Sequence, residues 1–136
     1  MSERDYDVVV FGATGFTGAL VAAYLAERYG VNGEVRWAVA GRSADKLESL
    51  RTGLGGDASS VDMIVVDSSD AEALANMAAR TRVVLTTVGP YALYGSALVA
   101  ACVAAGTHYC DLAGEVQWIR KMVDKHHERA RETGAR

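Results

Sequence analysis

Gly12-Ala13-Thr14-Gly15-Phe16-Thr17-Gly18 lies between an apolar, β-branched run from Tyr6 to Phe11 and a stretch in which Leu20, Val21, Tyr24, Leu25 and Tyr29 recur at helical spacing. A strand that enters a helix through glycines spaced three apart has few ways to fold. The first glycine admits a tight turn, the second leaves backbone uncovered, and the third lets the helix press close. Free N–H groups of the helix's first turn, at the positive end of its dipole, then form a place for an anion. The alternative is a glycine-rich turn with no ligand, and a position in the first strand-to-helix turn of an α/β chain speaks against it.

The rest of the chain repeats the strand-then-helix pattern. Strands are expected at Val35 to Ala40, Val61 to Val66, Val83 to Val88 and Thr107 to Leu112, after the first at Tyr6 to Phe11. Gly30 closes the first helix in a left-handed conformation. Ser43 caps a short helix carrying Leu47 and Leu50, Gly53 to Ser60 is a surface loop, and Ser69 with Glu72 makes a capping box ahead of Leu74, Met77 and Ala78. Pro90 sits in a turn beyond the fourth strand. Ser96 to Ala105 forms an alanine-rich helix ending at Gly106, and an amphipathic helix with Trp118, Ile119 and Met122 apolar starts at Val116.

Alternating strands and helices with short joints imply parallel βαβ units. The fold class expected is α/β, a Rossmann-type doubly wound parallel sheet of order 3-2-1-4-5. Residues 1–136 form one dinucleotide-binding domain in this reading. A sixth strand and a second, substrate-binding domain are expected outside it. Strand 5 would then be an open edge, and a homodimer through it or the last helix, or docking to a missing C-terminal domain, is expected to cover it.

With half its residues apolar, the chain can close one core, and its net charge of -3 comes from scattered charges rather than a basic stripe. Nucleic acid is therefore not an expected partner. The longest apolar stretch, Ala97 to Ala105, is far short of the about 20 residues that cross a bilayer. Cys102 and Cys110 stand in apolar surroundings without metal-ligand spacing, and no metal pattern surrounds His108, His126 and His127. A reduced, cytoplasmic setting is expected.

The residues at the end of the second strand select the nucleotide. An NAD-binding domain usually has a carboxylate there to hold the ribose 2′-OH, whereas this chain reads Ala40-Gly41-Arg42-Ser43. A guanidinium pairs with a 2′-phosphate that a carboxylate would repel. Gly41, Arg42 and Ser43, with Lys46 as a second cation, are the expected hook for NADP(H); the plainer alternative is a solvated loop arginine. Asp67 is either an acceptor for the adenine amino group or a turn residue. Thr87, Val88, Gly89 and Pro90 are expected to shape the path around ribose and pyrophosphate.

Taken together, GATGFTG (Gly12 to Gly18), AGRS (Ala40 to Ser43) with Lys46-Leu47, TTVGPY (Thr86 to Tyr91) with Tyr94-Gly95, and THYCDLAGE (Thr107 to Glu115) resemble the N-terminal domain of saccharopine dehydrogenase-like oxidoreductases. Within that family the resemblance is closest to the trans-acting enoyl reductase branch. It implies an NADP-binding domain followed by a larger substrate domain, and NADPH-dependent reduction of a carbon–carbon double bond in a lipid-like intermediate. By itself this chain would then bind cofactor without turnover. No Tyr is followed four residues later by Lys, which argues against the short-chain dehydrogenases. Catalytic residues are not assigned. Asp111, Glu115, Tyr91 and Tyr94 fall on the nicotinamide side, where the carboxylates alternatively cap the last helix and the tyrosines alternatively pack. The competing function is a non-enzymatic NADP(H)-sensing module.

Overall fold

Period-two alternation along β1 (Tyr6–Phe11) creates the two layers of the core in the computed structural model, which describes residues 3–136. Val9 and Phe11 face Leu74, Met77, Leu98 and Cys102, on α3 (Ala71–Ala79) and α5 (Ser96–Ala105). Val10 faces the other way, onto Ala22 and Leu25 of α1 (Phe16–Tyr29) and Leu47 of α2 (Ala44–Leu54). A strand covered on both faces has little use for polar residues, which is why Tyr6 to Phe11 reads as an almost continuous apolar run. Burying each of Leu47, Leu74 and Leu98 contributes about 1.5–3 kcal/mol.

β2 (Trp37–Gly41), β3 (Asp62–Val65), β4 (Thr81–Thr86) and β5 (His108–Cys110) join β1 in one parallel sheet of order β3-β2-β1-β4-β5. This is the doubly wound Rossmann order expected from the sequence. The strand order reverses between β1 and β4, the point where such sheets open a crevice. Two helices complete the chain: short α4 (Tyr91–Tyr94) and long α6 (Val116–Thr133), whose Trp118 packs with Tyr91, Val99 and Val103.

Several local expectations are corrected. β2 begins two residues late, because Val35 is packed against the core without joining the ladder; β4 runs from Thr81, which pairs with Tyr6, to Thr86, so both its limits lie two residues early and Val88 packs on the core beyond it. The core face of α1 is Gly18, Ala22 and Leu25, while Leu20 and Tyr24 are exposed. Small residues there let the helix axis approach the sheet. Gly30 has φ 66° and ψ -158°, an extended mirror-image conformation rather than a left-handed helical one. Gly53 lies inside α2, and Gly56–Ser60 forms a 3₁₀ turn that buries Ala58. Asp70, not Ser69, caps α3: its carboxylate accepts from the Ala73 N–H at 3.0 Å. β5 is an edge of the sheet, but it is not wholly open, since its Tyr109 N–H donates to the Arg136 carbonyl at 2.7 Å.

Arg4, just before β1, braces the amino ends of the strands. Its guanidinium donates to the carbonyls of Ala78, Thr81 and Ala105 at 2.9, 2.8 and 2.7 Å, and to the Thr107 hydroxyl. Helix ends and strand starts leave carbonyls without partners, and one cation serves α3, β4 and α5 together. Arg4→Met keeps the apolar stem and removes the donors. We expect it to lower stability by about 2–3 kcal/mol in urea unfolding with an unchanged m-value.

Candidate functional site

The carboxyl ends of four strands come level, because Phe11 is paired with Ala40 on one side and Thr86 on the other, and Gly41 with Val65. Above them lies an open cleft of about 330 Å³, lined by backbone and side chains that follow β1, β2, β3 and β4. Of the residues expected at the site, Gly12, Thr14, Gly15, Gly41, Arg42, Thr87, Val88 and Gly89 line it. Tyr94, expected near the nicotinamide side, lines it too, as do Phe11, Val66 and Ser68, which were not among the expected residues. Ser68 follows a strand end, which is the signal that could have included it; Phe11 and Val66 read only as strand core.

The glycine loop is sewn to its neighbours. Gly12 and Ala13 N–H groups both donate to the Ala40 carbonyl, at 2.9 and 3.2 Å, and the Gly15 N–H donates to the Gly12 carbonyl at 3.1 Å. Ala13 is thereby in the core, with its N–H spent. Gly12 has φ 84°, and a Cβ on it would stand 2.6 Å from the Val88 side chain. Gly18 is tighter still: a Cβ there would come within 2.0 Å of the Gly12 carbonyl oxygen. Gly15 differs, because the nearest atom to its Cβ position is that same oxygen at 3.5 Å, an ordinary contact. It caps α1 without a side-chain bond, so the first-turn N–H groups of Phe16, Thr17 and Gly18 have no intrahelical partners. Phe16 and Thr17 are exposed.

Beyond β2, Arg42 is exposed and, among the described residues, makes no hydrogen bond or ion pair. Ser43 caps α2, its hydroxyl oxygen accepting from the Lys46 N–H at 3.2 Å, and Lys46 is exposed in the first turn of that helix. Asp67 does not line the cleft. Its carboxylate accepts from the Ser69 N–H at 2.9 Å and from the Ser69 hydroxyl at 2.7 Å. Those bonds hold its pKa below the ordinary carboxylate value, with the Arg42 charge adding a smaller pull. The turn role expected as one alternative is the one its geometry fills, and Ser68 beside it faces the cleft.

The segment after β4 forms the opposite wall. The Thr87 N–H donates to the Phe11 carbonyl at 3.0 Å, the Thr87 hydroxyl to the Gly12 carbonyl at 3.2 Å, and the Val88 N–H to the Thr86 hydroxyl at 3.2 Å. Pro90, joined to Gly89 by a cis peptide bond, is the N-cap of α4. Tyr91 is buried and Tyr94 half-exposed at the cleft. Glu115 is the N-cap residue of α6, as expected, but its side chain does not cap that helix: the carboxylate accepts from the N–H groups of Tyr91 and Ala92. Asp111 accepts from the Ala113 N–H and the Tyr109 hydroxyl. Burial, and then Asp111, push the Tyr109 phenol well above its usual range, so it stays protonated. Among the described residues, no cluster of His, Cys, Asp and Glu could hold a metal ion, and no helix is long and apolar enough to cross a membrane.

Residues 8–136 match the family model described as saccharopine dehydrogenase NADP binding domain. The chain belongs to that family. It is 48% identical over 135 residues to a trans-acting enoyl reductase of Mycobacterium tuberculosis, covering 99% of this chain and 32% of that protein. A trans-acting enoyl reductase of Mycobacterium ulcerans is 46% identical over 135 residues, again covering 99% of this chain and 32% of that protein. The chain thus spans about a third of the length of these relatives. Among solved structures, saccharopine dehydrogenase (L-Glu forming) from Saccharomyces cerevisiae superposes with a TM-score of 0.65 at 19% identity, over 87% of this chain and 24% of that one. Triphenylmethane reductase of Citrobacter sp., complexed with NADP(H), gives 0.67 at 21% identity, over 93% of this chain and 46% of that one. These two likenesses establish the fold.

NADP(H) is the cofactor of this family of domains, and the cleft suits it. The glycine loop offers bare backbone and first-turn N–H groups to phosphate, and a guanidinium with no partner among the described residues stands after β2. The two glycines of the loop's second half are separable. Gly18→Val forces the loop and helix apart, so thermal melting without cofactor is expected to show a loss of several degrees or failure to fold. Gly15→Val adds a Cβ at ordinary contact distance and is expected to melt near the unmutated chain while losing the cofactor-induced shift. Equal destabilisation of the two variants would contradict this division.

Proposed function

We propose that this chain is the NADP(H)-binding part of a cytoplasmic reductase acting on a carbon–carbon double bond in a lipid-like enoyl intermediate. In this reading, residues 1–136 hold the cofactor and a separate substrate domain, supplied beyond them, holds the enoyl group. Sequence identity near one half to proteins named trans-acting enoyl reductase supports the reaction class. The NADP(H)-sensing alternative has no comparable support.

The observation that carries the cofactor assignment is Arg42. Positioned after β2 at the cleft wall and free of protein partners among the described residues, it can give its whole guanidinium to a 2′-phosphate. Ser43 and Lys46 at the start of α2 extend the same polar edge. Phe16, Thr17 and Gly18 N–H groups take the pyrophosphate, with Gly12, Ala13, Thr14 and Gly15 setting the loop's path. Gly41 keeps the floor low, and Thr87 to Pro90 pass beside the ribose toward the nicotinamide. When bound, the cofactor supplies hydride; the residues named here bind and orient it.

Exposed Phe16, Leu93, Tyr94, Leu112 and Val116 follow the carboxyl ends of β1, β4 and β5. An apolar rim there supports docking of the substrate domain over the nicotinamide half. A second copy of the chain is the other occupant for that rim, and sedimentation at increasing concentration distinguishes them.

Calorimetric titration tests the assignment. NADPH is expected to bind more tightly than NADH, and Arg42→Ala to weaken NADPH about ten- to hundredfold, or about 1.5–3 kcal/mol, with NADH little changed. Equal affinities in the unmutated chain would refute it.

A further inference from the structure

α4 begins badly for a helix. Its N-cap is Pro90, which has no side-chain acceptor, so the N–H groups of Tyr91 and Ala92 have no local partner. Glu115, more than twenty residues further along and at the entrance of α6, supplies both. Its Oε2 accepts from the Tyr91 N–H at 2.7 Å and its Oε1 from the Ala92 N–H at 3.0 Å. A carboxylate spanning two successive N–H groups fixes the direction of the chain as well as its position.

A second link runs parallel to this one. The buried Tyr91 hydroxyl donates to the Thr86 carbonyl at 3.4 Å and accepts from the Leu112 N–H at 3.2 Å. Its ring stacks on Trp118 with centroids 5.8 Å apart, and Trp118 in turn donates to the Ser96 hydroxyl at 3.0 Å. The β5–α6 connection therefore holds Tyr91 and Ala92 directly, and the Tyr91 hydroxyl ties the other end of the segment, Thr86, to the same point. Its middle, Thr87-Val88-Gly89, is the wall of the cleft nearest β4.

We propose that Glu115 is a positioning residue for the nicotinamide half of the cofactor, acting through Tyr91 on the Thr87–Gly89 wall. The inference rests on the cleft holding NADP(H) with its 2′-phosphate at Arg42. A dinucleotide anchored after β2 and crossing the α1 N-terminus must carry its other half toward β4. Loosening the β4 wall then affects that half and leaves the adenosine half, held by β2 and the glycine loop, in place.

Two ligands separate the halves: NADPH, and adenosine 2′,5′-bisphosphate, which keeps the 2′-phosphate and adenosine and lacks the nicotinamide. Two variants loosen the wall in different ways. Glu115→Gln replaces one of the two acceptors with a donor, and Tyr91→Phe removes the hydroxyl link while keeping the ring against Trp118. Both are to be titrated with each ligand, alongside thermal melts. NADPH affinity is expected to fall roughly tenfold in Glu115→Gln and roughly three- to fivefold in Tyr91→Phe, with the bisphosphate within about twofold of its unmutated value. A merely structural role would weaken the two ligands together or neither. Unchanged NADPH affinity in folded variants, or parallel loss of both ligands, would overturn the latch while leaving the cofactor assignment standing. An unmutated chain that holds neither ligand would overturn both.

Discussion

The backbone of Gly18 lies so close to the Gly12 carbonyl that no side chain fits between them, and the cleft exists because of that approach. It brings the first turn of α1 directly over the end of β1, so the free N–H groups of the helix stand above the strand ends instead of out in solvent. The same approach puts small residues on the buried face of α1. Had Leu20 and Tyr24 faced the sheet, the helix would sit further out and its amino end would no longer close the loop. Packing and site geometry are thus one constraint, with backbone carrying both.

The cleft is unequal from side to side. After β2 and β3 its edge is polar: Arg42, Ser43, Lys46 and Ser68, with Asp67 using one carboxylate oxygen to hold Ser69. After β4 and β5 it carries the exposed apolar side chains Leu93, Tyr94, Leu112 and Val116. A charged, highly hydrated group gains little from an apolar neighbour, while a hydride donor benefits from a setting that excludes water. The division of the rim therefore follows the division of the cofactor into a phosphate-bearing end and a reactive end. It also explains why the polar edge alone is legible as a recognition site.

Sequence order sufficed for the sheet because each apolar run was long enough to be a strand and each turn residue told where it stopped. Strand limits shifted by about two residues at β2 and β4, since apolarity records burial and the ladder records pairing; Val35 and Val88 have the first without the second. The α3 cap moved one residue because the Ser69 hydroxyl turns back to Asp67, leaving Asp70 to meet the Ala73 N–H. Eight of the residues expected at the site line the cleft, all on segments where glycine or a strand end made the chemistry local. Arg4, and the bonds that Glu115 makes to α4, escaped that reading for a shared reason. Each satisfies backbone groups far away along the chain, and no spacing rule connects a side chain to an amide brought near only by the fold.

That pair also shows where the two ends of the sheet differ in kind. At the amino ends of the strands Arg4 gathers carbonyls from α3, β4 and α5, closing the base of the domain with one cation. At the carboxyl ends Glu115 gathers N–H groups from α4 with one anion, beside the cleft. The first lies away from the cleft and can be changed at the expense of stability alone. The second shapes a wall that any bound dinucleotide must touch, so its effect is expressed in affinity. Charge placed by backbone demand is common to both, and distance from the cleft decides whether that demand belongs to folding or to binding.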